Sequence, residues 1–274
     1  MLPRGSPAGA PRGRRHRGAY GDPVAARRLA GAVPGGGGGV RYVAIETATG
    51  ATSIALGDGR EMVAAAARTD RRGHVGFLVP ALDFCFAQAG WRPQEIDVVA
   101  VDVGPGLFAG IRAGLATAQA LAGAAGVPLA PVCSLDAVAF RAATGHRRIW
   151  AVVDARRREV AVAPYRPVPG GVVRDGPVEL VGINGFRGLL EDDPSQKLVV
   201  GDWAALPEGE LTGIHGVRTG GPRHPTASAV MEVARGLAER GAFPHPDEVR
   251  PFYLRDPDVT INWSDFRQEG PWPG

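Results

Sequence analysis

The stretch Val101-Asp102-Val103-Gly104-Pro105-Gly106-Leu107-Phe108-Ala109-Gly110-Ile111-Arg112, with the run of small residues after it to Gly126, decides the fold. The apolar run from Ile96 to Val103 predicts a strand, Gly-Pro-Gly a turn, and the small-residue run a helix. Glycine in such a turn allows positive φ and lets another group come close to the backbone. The first amides of the helix lack intrahelical partners, so Gly104, Gly106 and Gly110 form a candidate phosphate-binding or partner-binding turn. A plain strand-to-helix connection explains the same glycines equally well.

Working outward, Tyr42 to Thr47, Thr52 to Leu56 and Met62 to Ala67 read as three strands joined by turns at Ala48-Thr49-Gly50 and Gly57-Asp58-Gly59. A helix follows over His74 to Ala89, with Pro80 expected to kink or restart it. After the central strand, turn and helix come a short strand at Val127 to Val132 and a helix from Ser134. Three hairpin strands, then helix, strand, helix, strand describe a ribonuclease-H-like half over residues 40–145. A similar, less regular order begins near Arg148. Strands are expected at Ile149 to Val153, Glu159 to Tyr165, Val178 to Val181 and Lys197 to Gly201, with a helix or loop at Phe186 to Leu190. A closing helix over Ala227 to Arg240 has Thr226 as its cap. These elements make a second half over 146–258, followed by a tail over 259–274. The fold class is α/β, two mixed sheets flanked by helices.

Composition sets limits. Of the residues, 45% are hydrophobic and 22% charged, which suits a soluble globular protein. Cys85 and Cys133 both lie in apolar segments, against a disulfide framework or a cysteine-built metal site. Residues 1–39 hold seven arginines and one acid, Asp22, a net +6; the overall +3 therefore leaves −3 for residues 40–274. The body thus carries no broad electrostatic footprint for nucleic acid. Residues 1–39, ending in Gly35 to Gly39, are expected to be disordered. They are either a basic arm touching RNA or an upstream extension before a start at Val40, and the second reading is preferred. Ala113 to Leu135 lacks charge, but its Ala and Gly content with Gln119, Pro128 and Pro131 argues against a membrane span. The arginine-rich N-terminus is not followed by the apolar core of a signal peptide.

The two early helices lack a polar side. In His74 to Ala89 apolar residues cover nearly the whole circumference, and in the helix after the turn Arg112, Thr117 and Gln119 are the exceptions. Surface helices normally keep one polar face. Such a pair is expected to bury one side on its own sheet and the other on a second molecule. The residues expected at that interface are Val75, Leu78, Val79, Leu82, Phe86, Ala113, Thr117, Ala118 and Leu121. Full burial within the chain is the competing account.

Four segments in order resemble the TsaB (YeaZ) family. Ile45-Glu46-Thr47-Ala48-Thr49-Gly50-Ala51-Thr52-Ser53-Ile54-Ala55-Leu56 stands in place of the opening I-D-T-A/S-T-x-x-x-S-V-A-L. Gly104 to Ala122 is similar to G-P-G-S-F-T-G-x-R-x-G-x-A-x-A-x-G-L-A. Asp154-Ala155-Arg156-Arg157-Arg158-Glu159-Val160 matches D-A-R-x-x-E-V, and Pro251-Phe252-Tyr253-Leu254-Arg255-Asp256 matches P-x-Y-L-R-D. The resemblance covers Arg41 to Asp258. It implies the acetate kinase, sugar kinase and actin superfamily. It further implies a cytoplasmic, non-catalytic subunit forming a heterodimer with TsaD, joined by the ATPase TsaE. The complex would put threonylcarbamoyl on the adenosine next to the anticodon of ANN-reading tRNAs, this chain meeting tRNA only through the complex. A homodimer in the absence of TsaD is a further expectation.

Catalysis is not expected. The TsaD-like H-x-x-x-H metal pair would need a histidine at Leu78 after His74, so no metal site is expected. Glu46, Thr47 and Thr49 form a degenerate nucleotide hairpin: Glu46 has the place of the magnesium-holding acid, but Ala48 and Thr49 stand where glycine is needed. Leu107 and Ala109 remove two hydroxyls from the turn. No cofactor is therefore expected on this chain alone, and ATP or ADP only at a complex interface. Asp154, Arg156 and Glu159 are read as a tied hairpin rather than an acid/base site. The alternative is a stand-alone ATP-using phosphotransferase or peptidase-like enzyme of the same superfamily.

Overall fold

The computed structural model describes Arg14–Arg15 and residues 39–254, apart from 59–60, 71–73, 144 and 239–242. Nearly all of the arginine-rich extension, the tail, Arg255-Asp256 of the closing motif and the side chains of His74 and Val75 fall outside the described residues. The first strand, β1 (Arg14–Arg15), belongs to the second sheet.

The first sheet holds β2 (Arg41–Glu46), β3 (Ala51–Asp58), β4 (Glu61–Thr69), β5 (Val98–Gly104) and β6 (Leu129–Cys133) in the order β4-β3-β2-β5-β6. Between them run α1 (His74–Ala89) and α2 (Phe108–Ala125), both over one face of the sheet. The strands β2, β3 and β5 are buried along nearly their whole length, because each face has its own cover. Val43, Ile45, Ile54, Leu56, Val99 and Val101 point toward α1 and α2. Their alternates Tyr42, Ala44, Ala55, Val98 and Ala100 point the other way. Side chains alternate along a strand, so a sheet covered on both faces reads as a continuous apolar run. Burying each large aliphatic here contributes about 1.5–3 kcal/mol.

The cover on the second face comes from far along the chain. Helix α5 (Ala227–Ala238) places Ala227, Ala229, Val230, Met231 and Ala234 against Tyr42, Ala44 and Ala100. A division of the chain at 145/146 puts this helix with the second half, yet it completes the first. The mirror case is α3 (Ser134–Arg141). It precedes that division, but Leu135, Val138 and Ala139 pack into the core of the second sheet. Asp136 of α3 takes two hydrogen bonds from the Arg174 Nη2 and one from the Tyr165 hydroxyl, which pins the helix there.

That second sheet is built on β7 (Arg148–Asp154), β8 (Glu159–Val168), β9 (Gly171–Arg174), β10 (Glu179–Gly182), β11 (Lys197–Gly201) and β12 (Val217–Thr219), in the order β1-β10-β8-β7-β11-β12 with β9 paired to β8. Helix α4 (Ile183–Asp192) covers its outer face through Phe186 and Leu190. Strands β9 and β12 escape a sequence reading because each is only a short strand on the margin of its sheet. Helix α1 continues through Pro80 as one element and does not restart. Thr226 caps α5, its hydroxyl accepting from the Ala229 amide at 3.3 Å.

Candidate functional site

Two features meet at the start of α2: a cleft between the sheets, and the outer face of α1 and α2. The cleft is filled by the chain itself. The β2–β3 connection lies directly on the Gly-Pro-Gly turn, with the Leu107 amide donating to the Ala48 carbonyl at 2.6 Å. The Thr47 hydroxyl donates to the Gly110 carbonyl at 2.7 Å. A Cβ on Gly106 would lie 2.0 Å from the Ala48 oxygen, and one on Gly110 2.0 Å from the Thr47 oxygen. Gly104, the last residue of β5, has φ +105°. Of the candidate phosphate turn, Gly106 and Gly110 thus give the space on their Cα side to Ala48 and Thr47, while Gly104 lies against Ile111 and the Phe252 carbonyl. What remains is a crevice of about 10 Å³ lined by Ala48, Thr49, Gly50, Leu107, Val153, Asp154, Arg156 and Asp202. Pockets for drug-sized ligands run to about 300–1,000 Å³, so this one is small for a nucleotide.

Glu46 is fully buried, and its Oε1 accepts from the Ala48 amide at 2.9 Å and the Thr49 amide at 3.3 Å. These hydrogen bonds close the β2–β3 connection locally, while the Thr47 hydroxyl turns away to α2. Behind Glu46 lies an acid that spacing did not single out. Asp102, also fully buried, accepts from the Gly104 amide at 2.8 Å and the Ser134 hydroxyl at 2.6 Å. A charged residue inside the apolar run Val98 to Val103 was the available signal. Glu46 Oε2 and Asp102 Oδ2 are buried and take no hydrogen bond. Burial, joined by the charges of Asp102 and Asp202, pushes Glu46 well above its usual value, while the two amides pull it back. Burial pushes Asp102 up to about 7, against the Ser134 hydroxyl and the Gly104 amide.

The pair has a consequence for stability. Both groups hold their protons more tightly folded than unfolded, so their contribution is fully present below the usual carboxylate values. For Asp102 it is lost as pH rises from its usual 3.8 through about 7, and for Glu46 over a range extending upward. A fully buried Asp102 gives on the order of 4 kcal/mol over that window as an upper bound. Thermal unfolding followed between pH 5 and 8 (roughly the window where acid unfolding of other groups is absent) is expected to show the melting temperature falling as pH rises. Glu46→Gln is expected to flatten that fall. A slope identical to wild type refutes the linkage.

The outer face of α1 and α2 divides the expected interface residues in two. Leu78, Leu82, Phe86 and Ala118 belong to the chain's own core, with Leu82 only 9% exposed and Ala118 fully enclosed. They are removed from the candidate interface, because the sheet side of each helix claims them. Val79 stays, 63% exposed, and Ala113, Thr117 and Leu121 are half-buried. The apolar residue missed by counting is Phe84, 51% exposed on α1. Ala116, Ala120, Gly123 and Ala124 make the exposed side of α2, while Asp83 and Gln88 break the apolar character of α1. At the N-terminal end of α2, Phe108 stacks on Tyr253 with ring centroids 5.1 Å apart, and Arg112 sits 3.9 Å over Phe108 and donates to the Tyr253 hydroxyl at 3.0 Å.

The Asp154-to-Glu159 hairpin is tied as expected. The Arg156 amide donates to Asp154 Oδ1 at 2.9 Å, and their side chains approach to 3.6 Å. Among the described residues, no group of three His, Cys, Asp or Glu is arranged to hold a metal ion, and no helix is long and apolar enough to cross a membrane.

Similarity to known proteins bears on this site. The family TsaD, tRNA N6-adenosine threonylcarbamoyltransferase, matches residues 67–174. The Escherichia coli tRNA threonylcarbamoyladenosine biosynthesis protein TsaB is 30% identical over 227 residues, 79% of this chain and 95% of that protein. A Mycobacterium leprae relative is 36% identical over 221 residues, and the alignment spans 55% of its length. Among solved structures, YeaZ from Pseudomonas aeruginosa superposes with a TM-score of 0.68 at 24% identity, covering 78% of this chain and 100% of that one. The fold and the site define an α/β protein of two mixed sheets flanked by helices, the fold of YeaZ, with the start of α2 packed against its own β2–β3 connection. Within that class, the chain belongs to the TsaB (YeaZ) family.

Proposed function

We propose that this chain is a non-catalytic subunit in the formation of threonylcarbamoyladenosine next to the anticodon of ANN-decoding tRNAs. In this reading it pairs with the TsaD transferase, and the ATPase TsaE joins the pair. The observation that carries the reading is the exposed apolar side of α1 and α2, centred on Val79 and Phe84, beside a cleft already occupied by Thr47 and Ala48. An apolar helical face of this kind favours a protein partner, and a packed cleft disfavours nucleotide chemistry within one chain. Nucleotide, where it takes part, sits at the interface of the complex. In the absence of TsaD the same face supports a homodimer, which a C2 arrangement of the two helices would close. The setting is the cytoplasm, where tRNA is modified.

The stand-alone phosphotransferase or peptidase-like reading is set aside on the same packing of the turn. Affinity capture of the chain from its native cytoplasm is expected to bring down the TsaD and TsaE homologues. Purified chain that turns over ATP alone, with no transferase in the captured complex, would reverse the assignment.

A further inference from the structure

The β7–β8 turn holds an observation the helical face does not explain. Arg156, Arg157 and Arg158 have φ of 65°, 55° and 61° in succession, a left-handed conformation that non-glycine residues rarely adopt and seldom as a run. The turn is over-determined by hydrogen bonds. The Ala155 amide donates to the Glu159 carbonyl at 3.1 Å, the Glu159 amide to the Arg156 carbonyl at 3.0 Å, and the Ile183 amide to the Arg158 carbonyl at 3.3 Å. All three arginines are exposed. Backbone held this way at a surface is a pointer to function.

A second basic element stands at the same end of the sheet. Arg223 lies 4.6 Å over the ring of Trp203, whose Nε1 donates to the Gly220 carbonyl at 2.9 Å. The two elements are joined by short steps. Arg156 reaches Asp154 at 3.6 Å, the Asp154 amide donates to Asp202 at 3.2 Å, and His224, next to Arg223, lies 3.4 Å from Asp202. In the Arg156–Asp154 pair the carboxylate is the less exposed partner, 19% against 53%, so the guanidinium faces outward. Guanidinium groups interleaved with an aromatic ring match nucleic-acid backbone.

We propose that Arg157, Arg158 and the Arg223–Trp203 pair, at one end of the second sheet, bind tRNA directly through its phosphates. This rests on the reading that the chain serves tRNA modification, and it departs from it in giving this subunit its own tRNA contact. The overall charge of the body hides the site because the surface positives are local.

The test titrates a labelled, unmodified tRNA transcript with the full chain at several salt concentrations, reading anisotropy. The arginine-rich extension is present in every variant and contributes equally. Combined Arg157→Gln, Arg158→Gln and Arg223→Gln is expected to weaken binding about tenfold or more and to lower the slope of log affinity against log salt by about 2–3, near 0.7–0.9 for each phosphate no longer neutralised. Arg157→Lys with Arg158→Lys is expected to keep the slope. An unchanged slope in the glutamine variant overturns the site. So does displacement of the tRNA by millimolar ATP, which would make it a nucleotide-phosphate site. TsaD capture by the glutamine variant separates this from the functional reading. A glutamine variant that still captures TsaD but binds tRNA weakly supports both. An arginine-dependent slope in a chain that captures no transferase leaves the site standing and sinks that reading.

Discussion

A chain carrying Val79→Glu and Phe84→Glu is expected to stay folded and to lose TsaD capture by a factor of about 100 or more. Apolar anchors at the centre of an interface carry roughly 2–4 kcal/mol each, and an unpaired carboxylate buried against a partner costs several more. At about 1.4 kcal/mol per tenfold, two such changes span at least two decades. Both side chains face water in the isolated chain, so the fold loses little. Charges placed at Leu82 or Ala118 are expected to behave differently. Those positions lie inside the core against the sheet, and a buried unpaired charge there costs about 3–5 kcal/mol of stability. Loss of capture by a Leu82→Asp chain would thus report unfolding. Measurement of capture and of the unfolding transition on all of these variants separates the cases. Undiminished capture by the folded Val79→Glu, Phe84→Glu chain would show that the partner face lies elsewhere.

Alanine at Gly106 or Gly110 is expected to be among the most damaging single changes in the protein. Each added Cβ would meet a carbonyl oxygen at 2.0 Å, that of Ala48 and of Thr47 respectively. Relief requires the β2–β3 connection to move away from α2. That breaks the Leu107–Ala48 and Thr47–Gly110 hydrogen bonds and disturbs the amides that Glu46 accepts from. Overpacking of this kind costs about 3 kcal/mol or more, a large part of a total near 5–15 kcal/mol. The melting temperature should fall by about 10 °C at 2–4 °C per kcal/mol. Gly123→Ala is the control. It sits in the same helix with nothing near its open side, so alanine there should stabilise by about 0.5–1 kcal/mol. Circular dichroism melts of the three variants decide the matter. Equal effects at Gly110 and Gly123 would mean the close packing is not what fixes these glycines.

The same residues show how far the sequence could be read. The run from Val98 to Val103 is apolar without alternation, which announces a strand covered on both faces. It does not say by what: α1 and α2 cover one face, and α5, more than a hundred residues away, covers the other. Helix α1 was legible to its ends, His74 and Ala89. The glycines after it were legible as a tight turn, yet phosphate and backbone make the same demand for a missing Cβ, and only the position of Ala48 distinguishes them. Asp102 was not singled out, although a charge in an apolar strand was there to see, and its nearness to Glu46 comes from sheet pairing and not from spacing.

By itself, then, the amino-acid order determined the local structure and the family: strand and helix periods, the turn, and four motifs in sequence. Only the tertiary structure decided which side of each helix is wet. Leu82 and Phe84 are equally apolar and two residues apart, but 3.6 residues per turn places them on different sides of α1, and the sheet takes one and leaves the other to solvent. A one-dimensional pattern gives the angle between two side chains. Which direction is inward is set by what packs against the helix, and that is contributed by strands distant along the chain.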